Sequence, residues 1–258
     1  MMETNKLGKT AILACLLLSA LILFGCAGAT VTPEETPSAS VGTAQRPDRI
    51  VVYDFAVSAE NVTTNQGPLQ KALNATKNED ELEQARLKAG QDAAHELALA
   101  LVKDLQGLGF NAENVPRGTP VSGNVMIIDG QFLSADEGNR ARRLIIGFGA
   151  GASSLETQVN VSQASGGGAP VQIMSFRIHA DSGKMPGAAL TMGAGGAAQG
   201  AAAAGAASAA QGVAKTYSSM LSTLADKSAK QTNAYLSQYF ATKGWISGDQ
   251  VQKASIAE

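Results

Sequence analysis

Cysteine is nearly absent from this chain. Of 258 residues two are cysteine, Cys15 and Cys26, and both precede residue 27. Downstream of Cys26 no thiol exists to form a disulfide, attack a substrate or ligate a metal. Aromatic residues make up 5% of the chain, with a single tryptophan, too few for a platform that stacks bases or sugars. Histidine is equally scarce, with two in all. His95 lies in His95-Glu96-Leu97-Ala98-Leu99, which lacks the second histidine of a zinc-protease helix. His179 stands near Asp181 at a strand end. Both read as structural or surface residues, and no metal or other cofactor is expected. An excess of charge is also missing. Twenty Lys and Arg face 22 Asp and Glu, a net charge of -2, so nothing electrostatic points to nucleic acid as a partner.

Charge is wholly absent from Thr10 to Gly25. Lys6 and Lys9 precede this stretch as a short positive region, and Leu, Ile, Ala and Phe fill it. A run of about 15 apolar residues suits a secretory leader and falls short of the ~20 that span a bilayer as a helix. It closes on Leu23-Phe24-Gly25-Cys26, with an aliphatic residue three before the cysteine and a small one directly before it. That pattern reads as the cleavage and lipidation site of a bacterial lipoprotein, with residues 1–25 as signal peptide and Cys26 acylated. The competing reading is an uncleaved signal anchor. One acyl chain holds a protein marginally and two or more hold it stably. Position 27 is Ala rather than Asp, so an inner-membrane retention signal of the Asp type is absent. The expectation is an outer-membrane lipoprotein facing the periplasm.

Residues 26–47 are rich in Ala, Thr, Pro, Ser and Glu and show no hydrophobic periodicity. They read as the lipidated cysteine followed by a disordered tether. Some 20 such residues reach roughly 25 Å on average. A folded domain is expected over 48–184. Arg49 to Phe55 reads as a central first strand, and Asp80 to Leu105 as a long helix with Leu87, Ala94, Leu97, Ala98, Leu101, Leu105 and Leu108 at helical spacing. Gly107 and Gly109 end it. Further strands are expected at 110–115, 124–133, 144–154, 157–162 and 173–180, with a turn at 181–184. Residues 185–214 carry no charge before Lys215 and are dominated by Ala and Gly. Linker, packed helix and membrane segment are the open readings of that stretch. A C-terminal helix covers most of 215–250, with Gly244 near its end, Trp245 folding back on it, and a frayed tail after Gln250. The fold class is α+β, a mixed or antiparallel sheet with one long helix after the first strand and a long C-terminal helix.

One cluster could carry chemistry. Arg140, Arg142 and Arg143 follow Asp136 and Glu137 and precede Gly147, Gly149 and Gly151. Three guanidinium forks could clamp a phosphate or carboxylate, and a glycine loop can cradle one. The opposing reading is a solvated hairpin turn in which the acids neutralise the arginines. No Gly-x-Gly-x-x-Gly is completed, because position 152 is Ala. Asp54, at the end of the first strand, reads either as an active-site carboxylate or as a strand end bonded to a loop. The latter fits its position better. No catalytic residue is assigned.

Three blocks carry a resemblance: Arg49 to Phe55; Asp129-Gly130-Gln131-Phe132 with Asp136-Glu137-Gly138-Asn139-Arg140; and Arg142-Arg143 through Gly147-Phe148-Gly149-Ala150-Gly151. Over roughly residues 47–200 the chain resembles the bacterial lipoprotein family catalogued as domain of unknown function 4410. In layout it is also similar to the curli-secretion lipoproteins, in which the resemblance implies a ring-forming periplasmic domain with membrane hairpins. The expected function is a non-enzymatic envelope accessory, assembly or binding protein. It would hold the membrane through its N-terminal lipid and pair with copies of itself or with another envelope protein. The alternative is an anion- or nucleotide-binding protein, or a hydrolase, built on the arginine and glycine cluster.

Overall fold

The structure is a computed structural model that describes residues 28–34, 45–63, 79–136, 152–165, 168–183 and 209–257. In chain order its elements are strands β1 (Ala29–Pro33), β2 (Arg49–Tyr53) and β3 (Val62–Thr63), helix α1 (Glu79–Gly107), strands β4 (Ala112–Val115), β5 (Val125–Asp136), β6 (Ser154–Ala164) and β7 (Val171–Asp181), and helix α2 (Ala209–Thr242). The strands form one seven-stranded sheet in the order β1-β7-β6-β5-β2-β4, with β3 also paired to β5. β2 runs parallel to β4 and β5, and β3 parallel to β5. β5, β6, β7 and β1 pair antiparallel in succession. The fold is α+β with a mixed sheet.

Local sequence explains the layers. β2 is interior, and Ile50, Val51 and Val52 are fully buried, which is why it reads as an unbroken apolar run rather than an alternating one. β6 alternates: Leu155, Thr157, Val159 and Val161 turn to the helices, and Glu156, Gln158, Asn160 and Ser162 to the other face. Helix α1 buries Ala93, Ala94, Leu97, Ala98, Leu101, Val102 and Leu105 at helical spacing, and Leu108 is buried in the turn that follows. These join Leu221, Leu224, Ala225, Ala229, Leu236 and Phe240 of α2, and Phe132, Phe176 and Ile178 of the sheet, in one core. Each large side chain so buried stabilises by about 1.5–3 kcal/mol. Both helices stop at glycines with positive φ, Gly109 (84°) and Gly244 (69°). There Phe110 N–H donates to Leu105 O and Trp245 N–H to Phe240 O, as left-handed helix ends require. Trp245 packs back on the rings of Tyr239 and Phe240, each with its centroid 5.7 Å away.

Three expectations are corrected. Residues 29–33 belong to the sheet and not to a tether spanning 26–47. Ala29 and Val31 turn into the core while Thr32 faces out, and two apolar residues are too few to register as a period. Pro33 is tolerated because β1 stands at the sheet edge. The tail beyond Gln250 is docked rather than frayed. Val31 N–H donates to Ser255 O (2.7 Å) and Ala257 N–H to Val31 O (2.8 Å), covering the edge that β1 would otherwise expose. Helix α2 starts at Ala209, inside the 185–214 stretch. Residues 184–208 lie outside the described residues, as do the leader 1–25 and most of the 144–154 segment.

Candidate functional site

The predicted anion-binding residues Arg140, Arg142, Arg143, Gly147, Gly149 and Gly151 lie outside the described residues, and so does Cys26. The structure places the frame on which those segments are mounted. Cross-strand register sets Thr63 opposite Asp136, Asp136 opposite Ser154, and Ser154 opposite Asp181. Asp181 N–H then donates to Gly28 O (3.1 Å). These five residues form a single row across β3, β5, β6, β7 and the start of β1, at one end of the sheet. The chain arrives at this row from residue 27. It leaves from it into 64–78, 137–151 and 184–208.

The row is closed by its own polar groups. Ser153 and Ser182 exchange bonds, Ser153 N–H to Ser182 Oγ (3.0 Å) and Ser182 N–H to Ser153 O (2.9 Å). Asp181 Oδ1 accepts the Gly183 N–H at 2.6 Å, the turn anticipated at 181–184. The Lys227 ammonium donates to Asp181 O (2.8 Å) and ties α2 to the same end.

Asp54 and His95 are brought together. Asp54 lies just past β2, and its Oδ1 is 2.9 Å from His95 Nδ1 on α1 and accepts Asn114 Nδ2–H from β4 at 2.9 Å. Of the two neutral tautomers, the one with hydrogen on Nδ1 can donate to that carboxylate. Arg117, after β4, donates to Asp54 O (3.3 Å) and to Gly130 O. The His95 and Asp54 side chains are 51% and 38% exposed, so the pair is a wet hydrogen bond pinning β2, α1 and β4 to one another. His179 meets Glu156 across the β6–β7 pair (3.3 Å) rather than Asp181.

The sheet face away from the helices carries a second polar network that sequence reading missed. The Glu34 carboxylate, just past β1, accepts from Gln158 Nε2 (2.8 Å), Ser175 Oγ (2.8 Å) and Arg177 Nε (2.8 Å). Asn160 continues it, donating to Asp129 (3.2 Å). Burial pushes the Glu34 pKa up, but the bonds from Ser175, Gln158 and Arg177 outweigh it, and the group is held below its ordinary value. Only the polar positions of β6 and β7 hint at this network. Glu34 itself sits in the low-complexity stretch, with no local signal. Among the described residues no group of three or more His, Cys, Asp and Glu could hold a metal ion, and no helix is long and apolar enough to cross a membrane.

A family model described as a domain of unknown function (DUF4410) matches residues 50–199. No curated protein matches the sequence significantly. Solved structures similar to the chain include a PelC dodecamer from Paraburkholderia phytofirmans, at 11% identity and a TM-score of 0.30, covering 77% of this chain and 97% of that one. A leucine-to-methionine variant of the PelC dodecamer from the same organism is similar at 13% identity and a TM-score of 0.28, covering 78% and 98%.

Proposed function

This chain belongs to the DUF4410 family, described as a domain of unknown function, and within it we propose a lipid-anchored bacterial envelope protein that works by binding or assembly rather than by catalysis. The observation that carries this reading is Leu23-Phe24-Gly25-Cys26 at the close of a stretch with no charge from Thr10 onward. Acylated at Cys26, the protein is held on the periplasmic side of the outer membrane, where its partner is a further copy of itself or another envelope protein. Binding is favoured over chemistry by the way the polar groups are used. Asp54 is committed to His95 and Asn114, and Glu34 to Gln158, Ser175 and Arg177, all inside the protein's own framework.

Fractionation of cells expressing the wild type and Cys26→Ser tests the reading. The wild type is expected in the outer-membrane fraction, and detergent extracts are expected to hold a particle heavier than one chain. Cys26→Ser is expected to leave that membrane. Equal distribution of the two would defeat the lipid-anchor reading, and a lone monomer in every detergent would defeat assembly with itself.

One observation favours the alternative of an anion- or nucleotide-binding protein or hydrolase. The segment with Arg140, Arg142 and Arg143 leaves and rejoins the sheet at the directly paired Asp136 and Ser154, so both its ends are fixed. Titration with inorganic phosphate and with a nucleoside triphosphate, for wild type and Arg142→Ala, tests it. Saturable binding lost in the variant supports the alternative, and absence of binding removes it.

A further inference from the structure

We infer that the domain is held with one end of its sheet, the row Gly28, Asp181, Ser154, Asp136 and Thr63, turned toward the lipid headgroups. The inference rests on the lipid-anchor reading of Cys26 and adds to it an orientation.

Between Cys26 and the first residue of β1 stand only Ala27 and Gly28. Three peptide steps, fully extended, span about 10–11 Å. A tether that ran to residue 47 would have allowed more than twice that on average and several times that at full stretch. The sheet therefore begins within a headgroup layer's thickness of the acylated residue.

Strand β1 is also held on every side. Its inner edge pairs with β7 from Ala29↔Ala180 to Pro33↔Phe176. Its outer edge is held by the C-terminal tail through Val31, Ser255 and Ala257. Val31 is fully buried, and Glu34 just beyond is bonded to three side chains of β6 and β7. Lengthening the tether would mean breaking all of these at once. Because β1 runs away from Gly28, the Gly28 end of the row is the part of the sheet nearest Cys26.

The described part of that end is polar. Ser153, Ser182, Asp181 and Gly183 satisfy one another by hydrogen bonds there. Among the described residues none of the exposed large apolar ones, Leu99, Val171 and Ile256, belongs to the row. Ser165, just past the far end of β6, lies eleven residues on from Ser154, about 36 Å away at ~3.3 Å per residue.

The test uses the full lipoprotein, purified in detergent and reconstituted into phosphatidylcholine vesicles. Cys26 would carry its acyl group, so an introduced cysteine is the only free thiol. Ser154→Cys marks the row and Ser165→Cys the opposite end of the same strand. Glu156→Cys, on the half-exposed side of β6, is the second near-end position should Ser154→Cys fold poorly. Each is labelled with a fluorophore and quenched by a headgroup-attached quencher lipid. The expected result is quenching several-fold greater at Ser154→Cys or Glu156→Cys than at Ser165→Cys, and equal, weak quenching at both ends once a 20-residue Gly/Ser linker is inserted after Ala27. Equal quenching without the linker, or a difference that survives the linker, overturns the seating. The mass of the N-terminal peptide from the same sample separates the two levels. An unmodified Cys26 overturns the lipid anchor itself, whereas an acylated Cys26 with equal quenching overturns only the fixed seat.

Discussion

Gly130 is the most tightly confined of the described glycines, which explains why glycine stands inside the Asp129-Gly130-Gln131-Phe132 block. A Cβ there would overlap the carbonyl oxygen of Gln158 and the ring of Phe55. The same residue's carbonyl accepts both Ala56 N–H and Arg117. Gly130→Ala is expected to cost about 3 kcal/mol in urea unfolding, since neither neighbour can yield without moving a strand. Two carboxylates give opposite responses to pH. Glu34 is held below its ordinary value of 4.5, so its contribution is complete above that value and is lost as pH falls through its lowered folded pKa. Glu34→Gln should flatten the acid limb of Tm against pH. Asp104 is held above its ordinary 3.8 by burial and by the Asp226 carboxylate, against Lys230 and Lys103. Its penalty is absent below the ordinary value and grows as pH rises through the folded one. Asp104→Asn should therefore raise Tm at pH 7 and match the wild type below about pH 3.5. None of these roles is legible in the sequence, because each depends on a neighbour from another strand or helix. Asp54 is the partial exception. Its place at a strand end is readable, but its partners His95 and Asn114 arrive from α1 and β4 only through the fold.

The elements that carry strong local signals are the legible ones. An unbroken β-branched run marks β2, a helical apolar stripe marks α1, and alternation marks β6 and β7. Strand β1 is hidden because two core residues make no pattern, and the docked tail is hidden because its partner is β1. The two stand or fall together. Removing residues 251–258 is expected to speed hydrogen exchange at Val31 about 10-fold and to leave β5 and β6 unchanged, a loss of two backbone bonds at one edge. Unchanged exchange at Val31 would mean the tail does not guard the edge. Helix α2 shows the other limit of pattern reading. Its sequence carries Tyr217, Leu221, Leu224, Ser228, Gln231, Tyr235 and Tyr239 at helical spacing, yet the helix also buries Thr232, Asn233 and Ser237. Thr232 and Ser237 bond back to backbone carbonyls one turn earlier, whereas the Ser228 hydroxyl has no partner among the described residues. Ser228→Ala should stabilise the fold by about 1 kcal/mol, measured as an increase in the urea midpoint at constant m-value.

At the scale of the molecule, the proposed lipid anchor at Cys26 meets a strand register that only the fold supplies. In that reading Cys26 is the attachment point. The register shows that Gly28, Thr63, Asp136, Ser154 and Asp181 share one end of the sheet, which no spacing in the sequence could reveal because the partners lie up to about 150 residues apart. The central claim is that Cys26 is the acylated first residue of the mature protein. The measurement that tests it most directly is the intact mass of the membrane-extracted protein, with fragmentation of its N-terminal peptide. The account predicts a chain that has lost residues 1–25 and begins with an acylated Cys26. A chain that still carries the Thr10 to Gly25 stretch, or one that begins elsewhere with Cys26 unmodified, would contradict it.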